Sequence, residues 1–227
     1  MKQTAAPLSS KLFHEIRRRI IVGTYEQGER LPEQRLAEDL KVSRIPLREA
    51  IPQLEVEGFV RTNPRRGVVV RQWTERTVHD LFDARLAIEP RAARLAATQV
   101  TRGTPATDLN ERLAVSETEL HKGGDPLQMS TANAAFHQAL VAAAGNELLS
   151  SLMNAVAGRM VWLFYLTKQR DPVVACAEHQ AITEAVNAGN PELTEALVFA
   201  HIEAGRVPSL ESMAALLADE PGADAAK

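Results

Sequence analysis

The sequence predicts a mainly α-helical protein in which three helices and a two-stranded hairpin come first and an all-helical bundle follows. Three observations carry that reading. Alanine is abundant and aromatic residues make up only 4% of the chain, a mixture that suits closely packed helices better than sheets. Apolar residues recur at helical spacing along most of the 227 residues, in stretches separated by Gly, Pro and Asn joints. Strand signals are confined to FVRT and GVVVR, two short β-branched runs on either side of an Asn-Pro turn.

Taken in order, Leu8, Leu12, Ile16 and Ile20 recur every four residues and make an amphipathic first helix, with Arg17, Arg18 and Arg19 off the stripe. Gly23 ends it, and YEQGERLP connects to a second helix whose inner face is Leu36, Ala37 and Leu40. Lys41-Val42 turns the chain. Ser43 is placed as the N-cap of a third helix with Pro46 in its first turn, where no amide hydrogen bond is lost. Leu47, Ile51 and Leu54 point inward from that helix, whereas Arg44 and Arg48 lie one turn apart on another face at its N-terminal end. Gly58 stops it, and the hairpin follows with Arg65, Arg66 and Gly67 at its tip.

Helix, helix-turn-helix and hairpin compose an N-terminal winged helix-turn-helix: three helices plus a two-stranded wing. Arginine at the start of the third helix can bond guanine edges or neutralise phosphate, and a glycine tip lets the wing backbone approach a duplex. Arg44, Arg48, Arg65, Arg66 and Gly67 are therefore the candidate DNA contacts; a solvated arginine surface is the plainer alternative for any one of them. Charge agrees with the DNA reading. Residues 1–73 hold 14 Lys+Arg against 9 Asp+Glu, while residues 74–227 hold 12 against 20, although the whole chain is only −3.

With 45% apolar residues the chain can bury a sizeable core. Cys176 has no partner for an internal disulfide, so a reducing compartment is expected. No apolar run reaches the roughly 18 residues of a membrane span, and the N-terminus lacks an apolar leader. A cytoplasmic protein without membrane partners is the expectation.

The segment from about residue 12 to 71 resembles the DNA-binding domain of the GntR family of bacterial transcription regulators. The resemblance rests on Leu31-Pro32, Arg35-Leu36-Ala37, Val42-Ser43-Arg44, Pro46, Arg48-Glu49-Ala50, Leu54-Glu55-Val56-Glu57-Gly58 and Arg66-Gly67. It implies double-stranded operator DNA as partner, with Arg35, Arg44, Arg48 and Gly67 at contact positions. Two departures bear on it. Ile45 stands where the family usually has threonine, and Pro52 falls inside the reading helix, where it deletes a backbone hydrogen bond at a cost on the order of 3 kcal/mol unless the helix kinks or ends.

After the linker at Gln72-Trp73-Thr74, with Thr74 or Thr77 as the next cap, helices are expected over about 75–99, 105–121, 127–144, 146–169, 172–188 and 191–205, with a weaker one over 209–218. Pro90 should bend the first, and the tail after Ala218 should fray. The two domains are thus 8–72 and 75–218.

Within this bundle Asn133 and His137 share a face one turn apart, and His179 and His201 follow on two later helices, each histidine flanked by apolar residues. Three inward imidazoles and an oxygen ligand can close on a divalent metal with room for water or a ligand. Spacing across separate helices does not establish convergence, and satisfied core histidines are the alternative. Glu178, next to His179 in sequence, is expected to point elsewhere. Arg159 falls on an apolar stripe with Leu152, Val156 and Leu163, and a buried cation wants an anion. Arg85 either pairs with Glu89 on the surface or reaches the same interior.

Residues 76–205 resemble the all-helical FCD ligand-binding domain of the FadR-like branch of the GntR family, through Arg85 and Glu89, Asn133 with Phe136-His137, Glu178-His179, and His201. In metal-binding members the four positions Asn133, His137, His179 and His201 hold the ion; asparagine replaces the aspartate common there. The implied ion is Zn²⁺ first, with Ni²⁺ or another transition metal behind it. A small carboxylate effector on Arg85 and Arg159, a homodimer on a two-fold operator, and repression follow as expectations. The competing reading is a metal-dependent hydrolase whose N-terminal part tethers it to nucleic acid.

Overall fold

A computed structural model describes residues 7–63, 67–167 and 171–218. The chain divides into two compact units, Met1–Trp73 and Thr74–Lys227.

The first unit begins with α1 (Leu8–Ile21), β1 (Arg30–Leu31), α2 (Glu33–Leu40) and α3 (Arg44–Val56), followed by β2 (Val60–Asn63) and β3 (Gly67–Val70). Leu12, Ile16 and Ile20 are buried against α3, while Leu8, the first member of the periodic stripe, stays exposed. Lys41 closes α2 in the left-handed conformation at φ 55, which turns the chain sharply into α3. Ser43 occupies the N-cap with extended backbone, although its side chain makes no capping bond. Leu47, Ala50, Ile51 and Leu54 are buried on the inner face of α3.

Pro52 neither shortens nor interrupts α3, which continues to Val56. The proline is on the exposed face. The Arg48 carbonyl it leaves without a helical donor is on that same face, where water can serve it. The hairpin gains a third strand that hydrophobic patterning does not reveal: β1 pairs antiparallel with β3, and the sheet order is β1-β3-β2. The wing register runs from Val60 opposite Val70 to Asn63 opposite Gly67.

The second unit is all helical: α4 (Glu75–Thr101), α5 (Thr107–His121), α6 (Pro126–Ala142), α7 (Glu147–Leu166), α8 (Pro172–Asn187) and α9 (Pro191–Ala218). Both candidate caps of α4 act together, since Thr74 and Thr77 form a reciprocal capping box. Helix α4 is the axis of the bundle, packing against α6, α7, α8 and α9. Its contact face is rich in alanine, with Ala92, Ala93, Ala96 and Ala97 all buried. Small side chains there let neighbouring helices approach closely.

Two expectations change. The segments 191–205 and 209–218 form one helix, α9, that runs through Pro208. Buried Gly205, Ser209, Ser212 and Met213 carry the packed face across the proline, so tertiary contact offsets the missing hydrogen bond. Helix α7 is long and apolar enough, by length and composition, to cross a membrane. Its packing against α6 and α4, which buries Met153, Ala157, Met160, Val161, Trp162 and Leu163, accounts for part of that composition.

Candidate functional site

Four helices of the second unit bring chemistry-bearing side chains to one place. Arg85 and Glu89 come from α4, Asn133 and His137 from α6, His179 from α8 and His201 from α9. Apolar residues set each orientation: Ala134, Phe136 and Leu140 are buried around His137, Ala175 and Ile182 around His179, and Val198 and Ile202 around His201. The Phe136 ring stacks on His179, with centroids 3.9 Å apart and planes 17° from parallel. The imidazoles are therefore held in place by packing.

The three histidines converge through their ligand nitrogens, all of which lie within 4.8 Å of one another. His179 Nε2 is 3.2 Å from His201 Nε2, and His201 Nε2 is 3.4 Å from His137 Nε2. Tetrahedral zinc with Zn–N bonds of ~2.0–2.1 Å places its nitrogens about 3.3 Å apart. The two separations to His201 match that edge. Neutral imidazole lone pairs brought this close repel unless a proton or a cation lies between them.

The opposite edges of two rings are held by carboxylates. Glu89 Oε2 is 2.7 Å from His137 Nδ1, and Glu178 Oε2 is 2.6 Å from His201 Nδ1. At His201 the Glu178 carboxylate accepts from Nδ1–H, which fixes the proton there and leaves the Nε2 lone pair facing the cluster, while Glu89 stands at ion-pair distance from His137 Nδ1. Glu178 was expected to point elsewhere because it adjoins His179. It instead reaches across to the next helix, a contact that one helix's periodicity cannot reveal.

Arg85 is buried at 2% exposure, and its Nε donates to Glu89 Oε1 at 2.7 Å. The alternative of a surface pair is thereby excluded. Burial by itself would raise the Glu89 carboxyl, but the charges of Arg85 and His137 outweigh it and hold the group well below the usual carboxylate range. The Arg85 guanidinium lies between the rings of Phe82 and Phe164, 5.6 and 5.4 Å from their centroids. Its Nη2 is 3.4 and 3.2 Å from the two His137 nitrogens, nearly equidistant and so not aimed at the Nε2 lone pair.

Asn133 supplies the remaining test of a metal site. Its Oδ1 is buried and, among the described residues, has no hydrogen-bond partner. A buried carbonyl oxygen left bare costs about 1–3 kcal/mol, and a cation held with the histidines would satisfy it. The donor set thus fits a divalent ion bound by three imidazole nitrogens and one amide oxygen.

A cavity of about 300 Å³ opens on this cluster, lined by Arg85, Asn133 and the three histidines together with residues including Met129 and Phe164. Arg159 is not among its lining residues. The inner face of α7 is Met153, Ala157, Met160 and Leu163, whereas Leu152 is 47% exposed, so the stripe that suggested an inward Arg159 is not the buried one.

In the first unit, Arg44 and Arg48 are exposed at the start of α3. Arg48 Nε pairs with Glu33 at 2.9 Å, and exposed Arg35 pairs with Glu29 and, at 3.6 Å, with Asp39. Gly67 adopts φ 70 with open space where a Cβ would stand. Arg65 and Arg66 lie outside the described residues.

A winged helix-turn-helix followed by a helical bundle with a cavity that opens on a histidine cluster is the build of a transcription regulator. The chain belongs to the GntR family: the model of bacterial regulatory proteins of that family matches residues 8–70, and the FCD domain matches residues 80–204. The Nta operon transcriptional regulator of Aminobacter aminovorans is 31% identical over 179 residues, covering 79% of this chain and 83% of that protein. The D-xylose utilization operon transcriptional repressor of Paenarthrobacter nicotinovorans is 29% identical over 202 residues, 88% of each chain. A GntR transcriptional regulator from Rhodococcus sp. RHA1 superposes with a TM-score of 0.74 at 25% identity, covering 89% of this chain and 97% of that one. Family membership makes this a regulator that binds operator DNA.

Proposed function

We propose that the protein is a metal-loaded repressor that binds a two-fold operator as a homodimer and is controlled by a small carboxylate effector. Residues 8–72 read DNA and residues 75–218 sense the effector. The observation that carries the sensing half is the convergence of three Nε2 atoms beside a cavity that also holds the Arg85 guanidinium. His137, His179, His201 and the Asn133 amide oxygen hold the ion, Zn²⁺ before Ni²⁺ by donor type. The bound ion supplies a positive centre for one carboxylate oxygen, and Arg85 donates to the other.

In the head, Arg44 and Arg48 face the major groove, Arg35 meets the backbone, and Arg65, Arg66 and Gly67 bring the wing to the duplex. Repression is supported by the relative from Paenarthrobacter nicotinovorans, whose name is "Probable D-xylose utilization operon transcriptional repressor". The effector changes DNA affinity only by binding one arrangement of the protein better than another.

A hydrolytic reading is disfavoured by the carboxylates. Glu89 and Glu178 each hold an Nδ1 edge, on the far side of its ring from Nε2, and neither is left to serve as a general base at the ion. The test is a thermal-shift screen of small carboxylic acids with and without chelator, paired with gel shifts on the operator. Acids should raise the melting temperature of the metal-loaded form and release DNA. If no acid shifts that form, the sensor reading fails.

A further inference from the structure

Apart from the histidines, Arg85 and Asn133, much of the cavity wall is apolar, and that bears on the body of the effector, given the carboxylate-sensor reading above on which this step rests. Besides those groups, its wall includes Phe82, Leu120, Met129, Phe164, Pro172 and Ala175. Hydroxyls are also present, but most of their protons are committed. Ser116 Oγ donates to the Arg112 carbonyl at 3.1 Å, Ser130 Oγ to Pro126 at 2.8 Å, and Thr167 Oγ1 to Leu163 at 2.8 Å, each one turn back on its own helix. Among the described hydroxyls of the wall, Ser209 alone keeps its proton for a ligand.

A polyhydroxylated acid presents a donor and an acceptor at every carbon. In this cavity it would lose water at each hydroxyl and meet wall hydroxyls that can accept but, Ser209 apart, not donate, so its own oxygens go short of donors at about 1–3 kcal/mol per group left unpaired. An aliphatic chain loses nothing of the kind and gains by leaving water. We infer that the cavity takes a monocarboxylate with an apolar body, its head on the metal and Arg85 and its chain against Leu120, Met129 and Phe164, and that it rejects sugar acids of the same length.

The experiment is titration calorimetry on the full-length, zinc-loaded protein with 2-hydroxyhexanoate, 2-hydroxybutyrate and gluconate. All three share the same chelating 2-hydroxycarboxylate head, so differences report on the body alone. Gluconate should bind at least about 100-fold more weakly than 2-hydroxyhexanoate, for its uncompensated hydroxyls. The loss of two methylenes in 2-hydroxybutyrate should cost about 15-fold. Met129→Ser should weaken 2-hydroxyhexanoate about tenfold and gluconate little. Unchanged metal stoichiometry will show that this variant is folded.

Gluconate binding as tightly as 2-hydroxyhexanoate overturns the inference and leaves the carboxylate sensor standing. Unchanged 2-hydroxyhexanoate affinity in folded Met129→Ser also overturns it. If none of the three acids binds, both readings fall.

Discussion

Glu178 on α8 sits 2.6 Å from the Nδ1 of His201 on α9, so the residue beside one histidine of the cluster orients a different one. The arrangement ties the two helices together at the site and leaves His201 Nε2 facing His137 and His179.

Glu178→Gln should weaken metal binding by about 10–100-fold without unfolding the bundle, since the amide can still accept at Nδ1 but lacks the charge that makes the ring a stronger ligand. Competition with a fluorescent chelator measures it. His137→Ala should abolish high-affinity binding in the same assay. Affinity in the wild type and in Glu178→Gln should fall as the medium is acidified, because each imidazole must be neutral to coordinate. A wild-type affinity in Glu178→Gln would assign the contact a packing role only.

Arg85→Ala should destabilise the second unit by about 3–5 kcal/mol, because Glu89 at 0% exposure is left charged and without its guanidinium partner. Replacing both residues by apolar ones of similar volume should recover most of that loss while still abolishing the effector response. Urea unfolding of chelated protein separates the two outcomes.

For the head, the expectation is that Arg44→Ala lowers operator affinity at least about tenfold without changing the melting temperature. Arg44 is exposed, and no ion pair is seen for it among the described residues. Combined with Arg48→Ala, operator binding should be abolished in gel shifts. Each phosphate contact removed should reduce the salt dependence of binding by about one unit of slope. Retention of full affinity in the double variant refutes the assignment.

Pro52→Ala should stabilise α3 by about 1–2 kcal/mol. The new amide can bond the Arg48 carbonyl, partly offset by a more flexible unfolded chain. Slower amide exchange within α3 is the readout, and unchanged exchange would mean that α3 gains nothing from the restored bond.

The pH dependence of α1 rests on Glu15, whose carboxyl is lowered to about 2 by hydrogen bonds from Arg18 and Arg19. Because the folded value is depressed, the contribution is present above the unfolded value near 4.5 and is lost as pH falls toward 2. Solvent screening keeps it below about 1 kcal/mol. Glu15→Gln should therefore lower stability slightly at pH 7 and match the wild type at pH 2 in denaturant titrations.

Much of this molecule was legible from local pattern. The stripe of Leu12, Ile16 and Ile20, the Ser43 start of α3, the Thr74 cap and the joints between the bundle helices depend on residues a few positions apart. The two-residue β1 was invisible because so short a strand has no periodicity and exists only by pairing with β3. The break expected before residue 209 failed for a related reason: Pro208 states a local preference, which packing along the rest of α9 overrides.

By itself, then, the sequence determined the helical elements, the arginines placed at the head of α3, and three histidines bound for helix interiors. Only the tertiary structure decided that His201 Nε2 meets those of His179 and His137 at 3.2 and 3.4 Å, that Glu178 serves His201, that Arg85 is buried beside them, and that Arg159 does not line the cavity. Helical periodicity specifies a face on one helix. The meeting of atoms from separate helices depends on how those helices cross and how far each is slid along its neighbours, and both are set by side-chain packing across the whole bundle.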